Sequence, residues 1–262
     1  MSLTIGKGPF GAERAGVFNF EYQSPPHAIY FEDSPRRVRV VFEGETIAQS
    51  DRMKLLHETG ITPVYYFPLD DLRNEYLEAG DHASHCPFKG DARYWSVVVG
   101  DRVAEDAVWN YPEPVEGAPP LAGYAAFYFD RMDAWFEEDE RIFVHARDPY
   151  TRIDVLASSR RVTVSLEGEV LARTNRARLL FESGLPVRYY IPSADVATHR
   201  LEPSENTTEC PYKGTAAYYS VANAGEKGRD LVWFYEQPRK EVDDIADYLC
   251  FFNDRVELEV SA

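Results

Sequence analysis

Apolar and polar residues alternate along much of the chain, and this alternation predicts β-strands. Val38, Val40 and Phe42 are each separated by one residue, which is the period of two expected for a strand with one buried face. Glu43–Gly44 fits the turn that follows, and Thr46–Ala48 fits the beginning of a return strand. The pattern therefore predicts a β-hairpin in this region.

The same interpretation extends through the rest of the first half of the chain. Val64–Phe67 is rich in strand-forming residues and is stopped by Pro68. Ala92–Val99 and Arg102–Tyr111 flank a Gly-Asp pair, and they predict a second hairpin. Asp51–Gly60 fits either a short helix or an irregular strand, and we favour the strand.

One segment departs from the β pattern. Leu121, Tyr124, Ala125 and Tyr128 are spaced like one face of a helix, so we predict one short helix before a closing strand. The second half of the chain follows the same plan and ends in the strand-like run Val256–Val260. The fold class predicted is mainly β, with one short helix in each of two domains.

The second half of the chain repeats the first half at a distance of 124 residues, and 36 of the 95 aligned positions from Arg37 to Arg131 are identical. The matching segments are Arg37–Glu45 with Arg161–Glu169, Tyr65–Pro68 with Tyr189–Pro192, and Cys86–Gly90 with Cys210–Gly214. Such identity indicates an internal duplication of one domain of ordinary size. The predicted organisation is an N-terminal segment (1–26), a first repeat (27–140), a polar linker (141–150) and a second repeat (151–262).

Both repeats carry the string Cys-Pro-[Phe/Tyr]-Lys-Gly-x-Ala-x-Tyr together with Tyr-Tyr-x-Pro, Glu-Gly-Glu and Trp-x-Tyr. These motifs resemble the domain-of-unknown-function 427 family. The resemblance implies two tandem β-tent-like domains, in which two antiparallel sheets meet along one edge, and it implies the fold far more strongly than an activity. The segment His145–Asp154 resembles the inter-domain segment of tandem members in bacteria.

Some naming schemes attach a nucleotidyltransferase label to this family. That chemistry needs clustered carboxylates that hold Mg²⁺ near phosphates. The acidic pairs Asp70–Asp71 and Asp243–Asp244 do not occupy matching offsets, and no phosphate-binding glycine loop is present in the sequence. The residues therefore give the label little support.

The formal net charge of −16 argues against nucleic acid and anionic membrane surfaces as partners, because both repel an acidic protein. No apolar run approaches the ~18 residues of a transmembrane helix, and residues 1–7 lack the apolar core of a signal peptide. Three scattered cysteines do not form a disulfide framework. These features predict a cytoplasmic protein.

Aromatic residues are the richest signal, because six of them recur at the same offset in the second repeat. They are Tyr65, Tyr66, Tyr94, Trp109, Tyr111 and Tyr124, matched by Tyr189, Tyr190, Tyr218, Trp233, Tyr235 and Tyr248. Core packing explains Trp109 and Tyr124 well. Adjacent tyrosines point to opposite faces of a strand, so we predict that one of each pair lines an aromatic-walled pocket.

The loop Cys86–Gly90 and its copy Cys210–Gly214 add a charge to this picture. Lys89 and Lys213 each offer a compact positive charge to a carboxylate or phosphate, and the glycine would let a ligand approach the backbone. The alternative is that the lysine pairs with an acidic side chain and that the cysteine packs as an inert apolar residue. A Cys–His constellation is not repeated, because His85 becomes Glu209. We expect no cofactor. A metal is not expected because the chain has no Cys-x-x-Cys pair, and because Asn206 and Glu209 replace His82 and His85 in the second repeat.

Polar residues are densest just before the second repeat, at His145, Arg147, Asp148, Tyr150, Arg152 and Asp154. They form either a solvated linker or a polar wall between the repeats that specialises the second one. Arg188 replaces Val64 beside the tyrosines and would bring a forked donor for an anion. If the protein has one active site, this reasoning places it in the second repeat.

The leading hypothesis is that the protein binds a small polar or anionic metabolite. The predicted ligand-binding residues are Arg152, Arg188, Tyr189, Tyr190, Cys210, Lys213, Trp233 and Tyr235 in the second half, with Tyr65, Cys86, Lys89 and Trp109 in the first. Two alternatives stay open: an enzyme that uses His145, Asp148 or Cys210, and a ligand-free interaction domain. The two repeats are expected to pair within the chain about a pseudo-two-fold axis, and a homodimer is also open.

Overall fold

The computed structural model describes residues 7–8, 10–11, 13–23 and 25–261, so the N-terminal segment assigned to 1–26 lies partly outside the described residues. The chain divides into two compact units, one ending at Asp148 and the other beginning at Pro149. The strands of the first unit are β1 (Ile29–Asp33), β2 (Val38–Phe42), β3 (Glu45–Ser50), β4 (Lys54–Glu58), β5 (Ile61–Pro68), β6 (Leu77–Cys86), β7 (Gly90–Val99), β8 (Arg102–Asn110), β9 (Tyr124–Phe127), β10 (Ala134–Glu137) and β11 (Glu140–Ile142). Short 3₁₀ turns lie at Leu69–Asp71, Asn74–Tyr76 and Phe129–Arg131.

The strands of the first unit form two antiparallel sheets. The larger sheet has the order β1-β4-β5-β9-β8-β7-β6, and the smaller sheet has the order β11-β10-β2-β3. Residues 141 and 142, assigned from the sequence to the linker, belong to β11 and pair with β10.

The second unit repeats this arrangement. Its strands are β12 (Ile153–Ser158), β13 (Arg161–Leu166), β14 (Glu169–Thr174), β15 (Ala177–Glu182), β16 (Arg188–Pro192), β17 (Leu201–Cys210), β18 (Gly214–Val221), β19 (Val232–Tyr235), β20 (Tyr248–Phe251) and β21 (Glu257–Ser261). The larger sheet has the order β12-β15-β16-β20-β19-β18-β17, and the smaller has the order β14-β13-β21. The helix α1 (Gly225–Gly228) and 3₁₀ turns at Ser193–Asp195, Thr198–Arg200 and Lys240–Ile245 complete the unit.

The strand predictions are confirmed. The alternating residues Val38, Val40 and Phe42 of β2 are all buried, the predicted second hairpin is β7–β8, and the ambiguous stretch after Asp51 contains the strand β4 rather than a helix. The chain is mainly β and consists of two tandem, sheet-rich repeats. No helix in the described part of the chain has both the length and the apolar character needed to cross a membrane.

The helix predicted at Leu121–Tyr128 is wrong. Tyr124–Phe127 is the strand β9, and it lies between β5 and β8 in the larger sheet. Ala125, Ala126 and Phe127 are all buried, because both faces of this sheet are covered. A strand without an exposed face has no period-two pattern, and its small residues allowed a helical spacing to be read instead.

Each face of the larger sheet in the first unit belongs to a separate hydrophobic core. One face packs against the smaller sheet, and the other is covered by Tyr111 and Leu121 of the segment after β8. Tyr65 enters the first of these cores and Tyr66 enters the second, with exposed fractions of 2% and 1%. The two tyrosines thus point to opposite faces of the strand, as predicted, and each of those faces is a buried core.

Candidate functional site

A cleft with a volume of about 330 Å³ opens in the first unit at the point where β9 ends. Within β5, only Tyr66–Pro68 pairs with β9. The first half of β5, Ile61–Tyr65, therefore borders the opening without a β9 partner. The larger sheet contributes the aromatic wall residues Tyr65, Tyr66, Tyr94, Trp109 and Phe127. Three of the predicted binding residues, Tyr65, Lys89 and Trp109, thus lie around one cavity.

A buried ion pair forms part of the cleft wall. The ammonium group of Lys89 donates to Oε2 of Glu58, and both side chains are at least nine-tenths buried. Oε1 of the same carboxylate lies 2.9 Å from Nε2 of His27, whose ring stacks on Phe88. The positive charge of Lys89 is therefore balanced by Glu58, as in the alternative in which this lysine pairs with an acid.

Two phenols beside this ion pair remain protonated. Burial raises the pKa of Tyr66 and of Tyr111 well above the usual value for tyrosine. The Lys89 ammonium lies 5.8 Å from the centroid of the Tyr111 ring. At neutral pH these hydroxyls can donate hydrogen bonds to a ligand, and they bring no negative charge.

A second buried carboxylate, Glu137, holds one wall of the cleft in place. The hydroxyl of Tyr65 donates to Oε1 of Glu137 at 2.5 Å, and Oε2 accepts from Nη1 of Arg36 at 3.0 Å and from Nε of Arg147 at 3.3 Å. Burial, followed by the charge of Glu137, raises the pKa of Tyr65. Arg147, which the sequence placed in a polar cluster, therefore binds the same carboxylate as Tyr65 does.

Aromatic residues after β9 complete the cleft. The Phe129 and Trp135 rings stack with centroids 4.7 Å apart, and Trp135 Nε1 donates to the Phe129 carbonyl at 3.1 Å. Tyr128 packs on Trp109 with a centroid distance of 4.6 Å. His145 also lines the cleft, and its burial lowers the pKa of its imidazole.

Gly90 is required by the backbone of its loop. Its φ of +108° lies in a region that other residues rarely adopt, and a Cβ here would lie 2.9 Å from the carbonyl oxygen of Glu113. The loop thus allows the chain after β8 to cross close to it. Cys86 is half-buried with a free thiol, and it is not among the residues around the cleft.

The corresponding aromatic residues of the second unit are packed together. Tyr190, Trp233 and Tyr235 are buried in one cluster, and Trp233 Nε1 donates to the Tyr190 hydroxyl at 3.2 Å. Burial raises the pKa of Tyr190 and Tyr235. Tyr189 is half-buried against the other core of the unit.

The second unit also repeats the lysine–glutamate pair. Lys213 Nζ lies 2.6 Å from Oε2 of Glu182, which is the counterpart of Glu58. Cys210 is half-buried with a free thiol. Neither lysine is thus an unbalanced positive charge of the kind on which the anion-binding hypothesis depends.

The two units differ at the positions of Val64 and Phe129, which line the cleft in the first unit. Their counterparts are Arg188 and Asn253. The Arg188 guanidinium lies over the Trp233 ring at 5.4 Å, and Asn253 Nδ2 donates to the Val187 carbonyl at 2.8 Å. The second unit therefore places its own side chains where the first unit has cleft-lining apolar residues.

Arg152 pairs with a neighbouring acidic side chain. It is exposed, and its Nε donates to Oδ2 of Asp154 at 2.9 Å. His145 and the buried Asp148 belong to the first unit, whereas Arg152 and Asp154 belong to the second. The polar cluster of the sequence is thus divided between the two units.

No group of three or more His, Cys, Asp and Glu side chains in the described residues is arranged to hold a metal ion. His85 Nδ1 instead lies 2.6 Å from Oδ1 of Asp91. The His82 ring lies 4.4 Å from that of Tyr94. The donor-rich stretch before Cys86 is therefore engaged in local contacts.

Sequence reasoning missed two kinds of cleft residue. Glu58 recurs as Glu182 and could have been found by asking which acid is repeated together with the lysine. Phe129 and Trp135 become Asn253 and Glu259 in the second repeat, so a search for repeated residues passes over them.

Comparison with known proteins gives the family and no activity. The model of the family described as a domain of unknown function, DUF427, matches two segments of the chain, residues 30–138 and 154–262. No curated protein matches the chain at a significant level.

Proposed function

The chain belongs to the DUF427 family, in two tandem copies, and we propose that its first repeat binds a small planar polar molecule in the aromatic cleft. The observation that carries this proposal is the cleft itself, whose walls are aromatic and whose polar groups are few. Binding sites for small molecules have this composition, and 330 Å³ is near the lower end of their size range. The ligand is therefore a compact molecule.

The charges of the cleft do not favour an anionic ligand over a neutral one. Lys89 was the residue expected to attract an anion, but Glu58 balances it at hydrogen-bond distance. The flat faces of Trp109 and Tyr128 favour a planar ligand group. Protonated Tyr66 and Tyr111 add donors beside the ion pair.

The proposal is tested by a thermal-shift screen of the purified chain against planar and cyclic metabolites. A ligand at 100 times its Kd adds about 2.7 kcal/mol to the stability of the unit that binds it. The matched control is the double variant Val64→Arg/Phe129→Asn, which introduces into the first repeat the residues of the second. We expect this variant to keep its circular dichroism spectrum and to lose the ligand-induced shift.

Two results would contradict the proposal. An unchanged ligand-induced shift in the double variant would place the binding site elsewhere in the chain. A library in which no compound raises the melting temperature would leave the cleft without a ligand, and a ligand-free interaction domain would then be the better interpretation.

A further inference from the structure

The second repeat holds a planar cation at the position that corresponds to the cleft of the first. Arg188 pairs with Leu180 of β15, as Val64 pairs with Leu56 of β4, so the two positions are equivalent in strand register. The Arg188 guanidinium lies 5.4 Å from the centroid of the Trp233 ring. This is within the ~6 Å at which a cation is attracted to an aromatic face.

The wall beneath that cation is built in nearly the same way in both repeats. The Tyr190 and Trp233 ring centroids are 6.4 Å apart at an interplanar angle of 86°, and those of Tyr66 and Trp109 are 6.5 Å apart at 83°. A third ring packs on each tryptophan at 4.6 Å. The first repeat therefore has the same aromatic platform, with Val64 where the second has the arginine.

The neighbouring charges also match. The pair Lys213–Glu182 coexists with Arg188 in the second repeat, which shows that a guanidinium is accommodated in a unit that holds this ion pair. The first repeat has the same pair, Lys89–Glu58. A guanidinium is weakly hydrated and stacks on aromatic faces more readily than an ammonium does, and the net charge of −16 favours a cationic ligand in general.

We infer that the cleft of the first repeat binds a small molecule with a guanidinium group, which lies over Trp109 as Arg188 lies over Trp233. This inference rests on the proposed function and names the chemical class of its ligand. The short side chain of Val64 leaves the space that the arginine side chain crosses in the second repeat. The remainder of the ligand lies along Phe129 and Trp135, which have no aromatic counterpart there.

The test compares three ligands of the same length with the unmodified chain by isothermal titration calorimetry. Butylguanidinium has the planar cation, butylurea has nearly the same shape without the charge, and butylammonium has the charge without the plane. We expect butylguanidinium to bind at one site per chain, at least tenfold more tightly than either of the other two. Its binding should quench tryptophan fluorescence, because Trp109 lies against the cation.

Variants of each repeat add an independent readout. Val64→Arg/Phe129→Asn should abolish binding of butylguanidinium, because the introduced arginine takes its place. Arg188→Val/Asn253→Phe should open an equivalent site in the second repeat and raise the stoichiometry from one to two. A folded reciprocal variant that still binds one equivalent would contradict the equivalence of the two platforms.

The inference and the proposed function fail in different ways. If butylurea or other neutral planar compounds bind in a manner sensitive to Val64→Arg/Phe129→Asn, and butylguanidinium binds no better, the cleft is a binding site but the guanidinium assignment is wrong. If neither these probes nor the metabolite library binds, both are wrong. The ligand comparison uses the unmodified chain, so it remains decisive even if a variant does not fold.

Discussion

The two repeats agree in the strands that form their larger sheets and differ where β9 and its counterpart β20 end. At that point the first repeat has Val64 and Phe129, which border a cleft, whereas the second has Arg188 and Asn253, which contact neighbouring groups of their own unit. The buried lysine–glutamate pair and the tyrosine–tryptophan pair are common to both. Features shared by the repeats thus support the fold, and the cleft residues that differ are the better guide to function.

The largest expected effect is the loss of stability when the lysine–glutamate pair is broken, and it shows whether this pair supports the fold in both repeats. Lys89→Met leaves the Glu58 carboxylate buried without the ammonium group, with His27 as its remaining partner, so we expect a loss of about 3 kcal/mol in the free energy of unfolding. Lys213→Met should cost less, because the side chains of Lys213 and Glu182 each remain 12% exposed.

Urea unfolding followed by fluorescence measures the first repeat, because three of the four tryptophans, Trp95, Trp109 and Trp135, lie there. Far-UV circular dichroism reports both repeats. The double variant Lys89→Met/Glu58→Gln is the control and should recover much of the loss. A Lys89→Met chain that keeps its stability and loses only ligand affinity would show that the lysine serves the ligand instead.

The next effect compares the two loop glycines. Gly90→Ala brings a Cβ to 2.9 Å from the carbonyl oxygen of Glu113 and forces an unfavourable φ, so we expect it to cost about 2–3 kcal/mol. Gly214→Ala meets its nearest atom at 3.3 Å and should cost about 1–2 kcal/mol, mainly from the positive φ. Urea unfolding by the two probes gives both values, and equal costs would argue against the close approach in the first repeat.

A smaller effect concerns the first tyrosine of each pair. Tyr65→Phe removes a hydrogen bond to buried Glu137, although Arg36 and Arg147 still donate to that carboxylate. The substitution should lower the free energy of unfolding by about 1–2 kcal/mol. The counterpart of Glu137 is Ser261, so Tyr189→Phe should cost less than about 0.5 kcal/mol. Similar costs for the two substitutions in urea unfolding would show that Glu137 does not distinguish the repeats.

The smallest effect is a pH dependence of the stability of the first repeat. Burial lowers the pKa of His145, so the unfolded chain binds a proton here more readily than the folded chain does. Above the pKa of histidine in the unfolded chain, about 6.5, the neutral imidazole makes its full contribution to the free energy of unfolding. This contribution is lost as the pH falls through the lower pKa of the folded state. Between pH 7.5 and 5.5, unmodified protein should lose more of its free energy of unfolding than His145→Gln does in urea unfolding, and parallel curves would contradict the assignment.

Much of the fold could be predicted from the sequence, because the duplication and the alternation in strands such as β2 leave direct traces. The error at β9 has a physical cause. Ala125, Ala126 and Phe127 are buried on both faces of the sheet, and period-two patterning requires one face that contacts water. The alternation of a strand predicts Tyr65 and Tyr66 on different sides of the sheet, but it does not show that both sides are buried cores.

The candidate site could be predicted only in part. Tyr65, Lys89 and Trp109 were found because they are repeated, whereas Phe129 and Trp135 were missed because they are not. The sequence favoured the second repeat for a specialised site because Arg188 is an obvious donor. Whether an arginine reaches out to a ligand or lies on its own tryptophan depends on its side-chain conformation, which residue spacing does not determine.

Arg188 is joined by its own backbone to the wall on which it lies. A tethered group has an effective concentration of the order of millimolar or more, so Trp233 has its cation without any added ligand, and that interaction becomes part of the folding free energy of the repeat. The first repeat gains the equivalent contribution only when a ligand is present. The chain would then contain a responsive copy and a constant copy of one module, and the ratio of their unfolding rates would report ligand concentration against an internal reference.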